Sequence, residues 1–462
     1  MPSALRRQLP TAPEARELLQ LALPVVAVQV GLMGMGVVDS IMVGRLSPAA
    51  LAGVALGNIY FFAAAVFSMG VLLALDPVVS QAVGARDEPA VARALQRGLL
   101  LALVLTVPSS LLLLTVRPAL TLLGQPAEII PVATAYVLRE LPGVFPFLAF
   151  TVLRQSLQAM GRMTGIVVVI ILANVVNVAL NWVLIFGHLG SPALGVTGSA
   201  WATTVSRWVM TGALLTLSWR RLRGYLLPLR PGVMSPVPLL RMVALGAPIG
   251  GQMQVEFGVF GAIALLMGRL GTVAVAAHQI AINLASFTFM VPLGVSGAGA
   301  VLVGHAVGRG DARGARRSAR AALVFGVGFM ALTALLFLMA PTLLASVYTA
   351  DSAVVTLAAT LIPVAGVFQV FDGIQVVSSG VLRGLGDTRM PLAINLLGFW
   401  LAGLPVSVYL GFRTPLGAVG LWWGLVVGLA TVGLLLLARA RHRFRQDLGR
   451  LVIDDAGEVA TG

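Results

Sequence analysis

The sequence predicts an all-α polytopic membrane protein, with twelve transmembrane helices in two parallel-repeat six-helix bundles. Three observations carry that prediction. Of the 462 residues 58% are hydrophobic and 10% charged, against about 25% charged in an ordinary soluble domain. Apolar runs of about 20 residues recur along the whole chain, each long enough to cross a hydrocarbon core. The second half of the chain repeats the first at a nearly fixed offset.

Helices are expected near 18–42, 49–75, 91–116, 128–150, 164–187 and 195–219, then near 239–267, 272–301, 318–343, 352–380, 390–411 and 416–438. The first ends ahead of Arg45 and carries Asp39. The second leads into a short loop in which Asp87 is placed to cap the third, and Arg117 closes the third. The fourth contains Arg139 and Glu140, which as sequence neighbours point in different directions and read as packing or interface groups. The fifth carries Asn177 and Asn181, the sixth Ser199, Thr203 and Arg207, the last read as structural or snorkelling. The seventh runs between Arg241 and Arg269 and holds Gln252 and Glu256. The eighth holds His278, read like Arg207 as structural or snorkelling, and Asp311 caps the ninth. The tenth holds Gln369, Asp372 and Gln375. The eleventh lies between Arg389 and Arg413, and the twelfth stops before Arg439. Pro and Gly inside these runs are compatible with helix, because neighbouring helices in a bundle re-satisfy the freed backbone groups. The halves are 18–219 and 239–438, with an amino-terminal segment 1–17, an Arg-rich linker 220–238 and a tail 439–462. The tail reads as a basic membrane-surface segment that ends in disordered residues including Asp454, Asp455 and Glu458.

All 31 basic residues are arginine, and the net charge is +14. On this helix map the outer loops hold only Arg45, Arg117, Arg269 and Arg413, while the segments on the side of the amino terminus hold twenty-five. By the positive-inside rule both termini are expected in the cytoplasm. The positive charge is therefore topological, and no nucleic-acid partner is expected. The first apolar segment is too long for a cleavable signal peptide and lacks a small-residue cleavage site. The chain contains no Cys and no Lys. Without Cys there is no thiolate metal site, and without Lys no P-loop and no Schiff-base cofactor. His188, His278, His305 and His442 show no paired metal-ligand spacing. The expectation is a non-enzyme without cofactors.

Pro24 through Leu46 (PVVAVQVGLMGMGVVDSIMVGRL) and Pro248 through Leu270 (PIGGQMQVEFGVFGAIALLMGRL) share their opening Pro and closing Gly-Arg-Leu at an offset of 224. The same offset carries Ala82-Val83-Gly84-Ala85-Arg86-Asp87 onto Ala306-Val307-Gly308-Arg309-Gly310-Asp311, and LGVTG from Leu194 is echoed by LGAVG from Leu416 at an offset of 222. Each half holds six helices, so both enter from the same side and form parallel repeats, the architecture in which substrate binds near the midplane and access alternates. AVGARD and its echo AVGRGD resemble the Q-x-x-G-A-x-D motif of the multidrug and toxic compound extrusion (MATE) family. Asp39 ahead of VGRL, ANVVNVALNWVLIFG, LGVTGSAWAT and LRGLGDTRMP carry the same resemblance, which spans about residues 15 to 440. Glu256 in the seventh helix and Asp372 in the tenth are similar to the NorM-like branch. Two departures stand out: His305 replaces the counterpart of Gln81, and Asp76 is an additional acid.

The intramembrane acids ask for an explanation, because a charge near the centre of a membrane helix costs about 2.5–3.5 kcal/mol on insertion scales. Glu256 lies near mid-membrane between its flanking arginines, with Gln252 one turn before it on the same face. A helix–helix hydrogen bond is the structural alternative, but a neutral Gln would serve that at lower cost. Gln369, Asp372 and Gln375 share a face flanked by Phe368 and Phe371, and a carboxylate beside aromatic rings suits a lipophilic cation. Gln252, Glu256, Phe368, Asp372 and Gln375 are thus the candidate drug-binding set. Asp39 lies about 9 Å from the outer end of its helix. It pairs either with Arg45 or with an oxygen-bearing site made by Asn177, Asn181, Ser199 and Thr203, a set that suits Na⁺ by analogy with other hard cations. Asp39 with those companions, and Glu256 with Asp372, are the candidate coupling sites for Na⁺ or H⁺.

Repeat, acids and resemblance together imply a secondary antiporter of the bacterial inner membrane, functional as a monomer. It would export cationic or amphipathic drugs against Na⁺ or H⁺ by alternating access. The alternative is a lipid-linked precursor flippase of the same superfamily, which would want central arginines for pyrophosphate headgroups. An intramembrane transferase would need clustered acids or a His–acid pair, and a channel would need a filter; neither pattern occurs.

Overall fold

The chain enters its first helix at Ala12 rather than at 18 because a capping box starts it early: the Thr11 amide donates to the Glu14 carboxylate at 2.8 Å. The computed structural model describes residues 10–454, and within them the ordered secondary structure is helical. The membrane-crossing helices are α1 Ala12–Gly44, α2 Pro48–Gly84, α3 Glu88–Leu114, α4 Ile129–Ala159, α5 Thr164–Phe186, α7 Pro236–Arg269, α8 Thr272–Gly308, α9 Ala312–Met339, α10 Ser352–Gly384, α11 Arg389–Phe412 and α12 Gly417–Arg443. The twelfth, α6 (Val196–Leu226), is as long as the others but less apolar, because Ser199, Thr203, Ser206 and Arg207 sit in it. The protein is therefore an all-α polytopic membrane protein of twelve transmembrane helices in two six-helix repeats.

Short polar side chains set the helix starts. Ser47 accepts from the Ala50 amide at 3.0 Å ahead of α2. Asp87 accepts from the Ala90 amide at 3.0 Å ahead of α3, and Asp311 from the Gly314 amide at 2.7 Å ahead of α9, as the spacing predicts. Asp351 caps α10 through the Ala353 and Val354 amides. Several helices overrun their apolar stretches. α2 turns at Leu73 and Ala74 and then continues to Gly84, with Asp76, Ser80 and Gln81 fully buried. Burial against neighbouring helices, not contact with lipid, is what those polar residues meet, so hydropathy alone ends the helix too soon.

Contacts divide the chain into two compact units with boundaries inside helices. One holds the chain up to Val26 together with Gly251–Leu451; the other holds Ala27–Gly250 and the segment from Val452. The start of α1 thus belongs with the second-half helices, and the start of α7 with the first-half helices. Glycine makes both arrangements possible. A Cβ on Gly70 of α2 would fall 2.4 Å from the Cα of Gly250 on α7, and one on Gly294 of α8 would fall 2.9 Å from the backbone nitrogen of Val26 on α1. Gly70 and Gly294, like Val26 and Gly250, are separated by the 224-residue repeat offset, so each unit contains the same small-residue contact. Close backbone approach of this kind is how membrane helices associate without a hydrophobic driving force. α11 contains a π-helical stretch, Leu396–Gly403, whose Gly398 and Gly403 lie against Gly424 and Gly428 of α12.

The tail departs from expectation at Asp454. Instead of being disordered, this residue accepts from Arg93 at 2.8 Å and from Arg97, both on α3 of its own unit. Arg97 is 1% exposed, so a buried guanidinium draws the end of the chain onto the helix. Asp455 and Glu458 lie outside the described residues.

Candidate functional site

In the unit of Ala27–Gly250, α1 carries Asp39 inward, where it is 2% exposed. Asn181 Nδ2 on α5 donates to its Oδ1 at 2.5 Å, and Thr203 Oγ1 on α6 donates to its Oδ2 at 3.0 Å. Asn181 Nδ2 also donates to Asn177 Oδ1 at 3.2 Å. The i, i+4 spacing on α5 explains this: it stacks two amides on one face, and that face meets α1. Both carboxylate oxygens of Asp39 are thus engaged by α5 and α6, while Arg45 is exposed beyond the end of α1. Ser199 is completely buried, but its hydroxyl does not reach Asp39. Ser199 Oγ, Asn181 Oδ1 and Asn177 Nδ2 have no hydrogen-bond partner among the described residues. Buried polar atoms without partners are uncommon. Asn181 Oδ1 and Ser199 Oγ are thus uncommitted oxygens on the two helices that hold the carboxylate, while Asn177 Nδ2 is a donor.

The second polar group lies in the other unit, on α7 and α10. Glu256 is partly exposed, and its Oε2 accepts from Gln375 Nε2 at 3.2 Å. Gln252, one turn earlier, donates to Ser379 Oγ on α10 at 2.9 Å. Asp372 is 6% exposed and lies within electrostatic range of Glu256. None of the described residues donates a hydrogen bond to it. Gln369, one turn before Asp372, is tied to Thr288 and Thr333 at 3.1 and 2.6 Å. Gln375 Oε1 and Gln369 Nε2 have no partner among the described residues. The two carboxylates lie within electrostatic range of each other, and among the described residues no basic side chain pairs with either. Phe368 contributes differently from the sequence expectation. Its ring is 2% exposed and packs edge-on against Trp422 and Phe260, at 5.5 and 6.1 Å between centroids. It packs within that aromatic cluster, while α7 and α10 bring the polar members together.

His278 packs against Trp422 in the same aromatic cluster. Asp76, at the resumed start of α2, is buried and accepts from Gln155 on α4 at 2.8 Å. Among the described residues no three His, Cys, Asp or Glu side chains converge as a metal cluster, so the donor chemistry here is carboxylate, amide and hydroxyl oxygen.

One partnership was not legible. Arg207 on α6 does not snorkel: its Nη2 lies 3.1 Å from Glu140 Oε1 on α4, with Glu140 completely buried. The guanidinium also stacks over Phe61 at 4.0 Å, and it lies within electrostatic range of Asp39. Adjacent sequence made Arg139 the visible neighbour of Glu140, and nothing in the spacing links positions 67 residues apart. Removing one member of a buried ion pair strands the other, at about 3–5 kcal/mol. Arg207→Gln is therefore expected to lower the melting temperature of the purified protein, and Arg207→Gln with Glu140→Gln to recover most of the loss. Equal melting of the single variant and the wild type would show that the pair carries no stability.

The family model described as MatE matches residues 24–183 and 248–409, one segment in each repeat. The protein named probable multidrug resistance protein NorM of Mesorhizobium japonicum is 37% identical over 94% of both chains. The multidrug resistance protein PmpM of Pseudomonas aeruginosa is 37% identical over 98% of this chain and 97% of its own. Among solved structures, the eukaryotic MATE transporter AtDTX14 superposes with a TM-score of 0.85 at 22% identity, covering 94% of this chain and 99% of that one. The chain belongs to the MatE family, the multidrug and toxic compound extrusion family, in its NorM-like branch.

Proposed function

We propose that this protein is a secondary active multidrug efflux antiporter of the bacterial cytoplasmic membrane. It exports cationic or amphipathic compounds in exchange for Na⁺ or H⁺ by alternating access. The observation that carries the reading is the placement of carboxylates inside membrane helices of both units, Asp39 in one and Glu256 with Asp372 in the other, each with neighbouring polar atoms that have no partner among the described residues. The names of the relatives, multidrug resistance proteins at 37% identity over nearly the full chain, support the same substrate class. Glu256, Asp372, Gln252 and Gln375 form the cation-binding part for drug or ion, with Phe368 on the same helix as Asp372. Asp39, Asn177, Asn181 and Thr203 form the ion-sensitive part, with Ser199 adjoining on α6. Both termini and the linker 220–238 lie in the cytoplasm, the monomer is the working unit, and no cofactor or covalent chemistry is involved.

Negative charge suits this exchange because the drug and the small cation compete for it, and a ligand shifts a conformational equilibrium only through unequal affinity for the two states. The flippase alternative gains no support from Arg207 near Asp39: its charge is already balanced by Glu140, which leaves no net positive charge there for a pyrophosphate. The test is purified protein in liposomes holding ethidium, with Na⁺ and pH gradients imposed separately. Ethidium movement driven by either gradient, and blocked by its collapse, is the expected result. Movement indifferent to both gradients would overturn antiport.

A further inference from the structure

At the arginine-rich end of the unit of Ala27–Gly250, the end of α6 and the following linker border an open cavity of about 330 Å³, at which Arg220, Arg221 and Arg223 are exposed and Arg230 is half-buried. Its lining includes Arg220, Arg221, Arg223 and Arg230, with Tyr225 and a single carboxylate, Glu88. Glu88 is already committed, since it accepts from the Tyr225 hydroxyl. Arg162 adds a further positive charge within electrostatic range of Tyr225. Four guanidiniums around one small space repel one another, and here they have one engaged acid between them.

The linker holds this arrangement rather than trailing past it. Gln96 on α3 is 6% exposed, and its Nε2 donates to the carbonyls of Tyr225, Leu226 and Pro228 at 2.8, 3.2 and 3.1 Å. Its Oε1 accepts from the Arg230 amide at 2.9 Å. One buried glutamine thereby fixes the whole turn that swings Arg230 back toward α6. Arg230 Nε is buried and has no hydrogen-bond partner among the described residues. A desolvated cationic donor without an acceptor is unfavourable unless an anion supplies one.

We propose that this cavity binds a phosphate group, that of an anionic lipid headgroup. Several guanidinium forks match the many oxygens of a phosphate better than a lone carboxylate would. The surroundings point to lipid as the source of that phosphate. Trp219, adjoining Arg220, is 41% exposed, and Leu227 and Leu229 on the clamped turn are 56% and 68% exposed. Tryptophan marks the headgroup level of membrane proteins, and the exposed leucines beside the arginines suit the acyl boundary. Basic pockets at helix ends recognise anionic headgroups in this way. The site is separate from the buried carboxylates and stands whether or not the antiport reading does.

The test uses the full chain in phosphatidylcholine nanodiscs, which carry no net lipid charge, with melting temperature as the readout. A soluble short-chain phosphatidylglycerol and inorganic phosphate are titrated separately. Arg220→Gln/Arg230→Gln is compared with Arg309→Gln/Arg313→Gln, which removes two exposed arginines of the other unit. The lipid is expected to raise the melting temperature of the wild type and of the Arg309/Arg313 variant at the same midpoint. In the Arg220/Arg230 variant the midpoint should move by about 30-fold, two surface arginines' worth of phosphate attraction. Arg220→Lys/Arg230→Lys keeps the charge and should lose less, which guards against a folding artefact in the glutamine variant. A response to inorganic phosphate as strong as that to the lipid would keep the phosphate site but overturn the lipid source. Equal lipid midpoints in the two double variants, or no response to either ligand, would overturn the site.

Discussion

Glu256→Gln and Asp372→Asn are each expected to abolish drug export while leaving a folded protein whose thermal stability is undiminished. The expectation follows from the difference between what the two carboxylates cost and what the protein gives them. A charged group near the centre of a membrane helix costs about 2.5–3.5 kcal/mol on insertion scales. Against that, Glu256 accepts one hydrogen bond, from Gln375, worth about 1.5–3 kcal/mol to a charged group, and glutamine at 256 would keep an acceptor for it. Asp372 accepts no hydrogen bond from the described residues and faces the Glu256 carboxylate. Neutralising either group therefore removes a cost and forfeits little structure, so stability should hold or rise. Export should fail, because the charge that a cationic drug and a coupling ion both use is gone. A merely structural pair would behave in the opposite way, with melting temperature falling and residual transport in whatever remained folded. Ethidium accumulation in cells, set beside melting of the purified variants, separates the two. Wild-type resistance at wild-type expression in either variant would refute the role.

The acids were legible in the sequence for a plain reason: in an apolar run a carboxylate has no ordinary use, so its presence is the signal. Their partners were legible only where helical spacing could supply them. Asn177 and Asn181 stack at i, i+4, and the structure brings that face to Asp39. Ser199 and Thr203 repeat the spacing, yet only Thr203 reaches the carboxylate, because spacing fixes a face and not a depth along the bundle. The pairing of Glu140 with Arg207 depends on how α4 crosses α6, which no local pattern records. Phe368 shows the same limit in another form. Its position beside Asp372 was readable, but the direction of its ring follows from packing against Phe260 and Trp422. The repeat offset foresaw two matching halves, while the allotment of the starts of α1 and α7 rests on glycine contacts such as Gly70 with Gly250 that become visible only in three dimensions.

Asp39→Asn is expected to uncouple drug flux from the ion gradient, whereas Arg45→Gln leaves coupling intact. Both oxygens of Asp39 are taken up by Asn181 and Thr203, and Arg45 lies exposed past the end of α1, so the arginine has no part in holding the carboxylate. Asparagine at 39 would keep one acceptor, which Thr203 can still use, but it would place an amide nitrogen where the carboxylate had an oxygen. Asn181 would then face a donor with its own donor, unless its amide turns to offer Oδ1 and Asn177 turns with it, so that the unpaired Asn177 Nδ2 donates to that same oxygen. The pocket can thus re-pair without charge, and for that reason the variant should fold. What it cannot do is bind a cation or a proton with the affinity of a carboxylate. If ion binding at Asp39 biases this unit away from its drug-bound state, the bias disappears with the charge. Coupling between two sites is worth about 1–3 kcal/mol, so gradient-driven flux should fall by about 5- to 150-fold. Drug binding measured without a gradient should stay within a few-fold of wild type, because Glu256 and Asp372 belong to the other unit. The measurement is ion-driven ethidium flux in proteoliposomes of both variants, beside equilibrium ethidium binding. Equal losses of flux in Asp39→Asn and Arg45→Gln would make Asp39 an interfacial ion-pair partner, and a loss of drug binding as large as the loss of flux would make it part of the drug site. A loss of flux confined to Asp39→Asn, with binding retained, identifies it as the group that reads the ion.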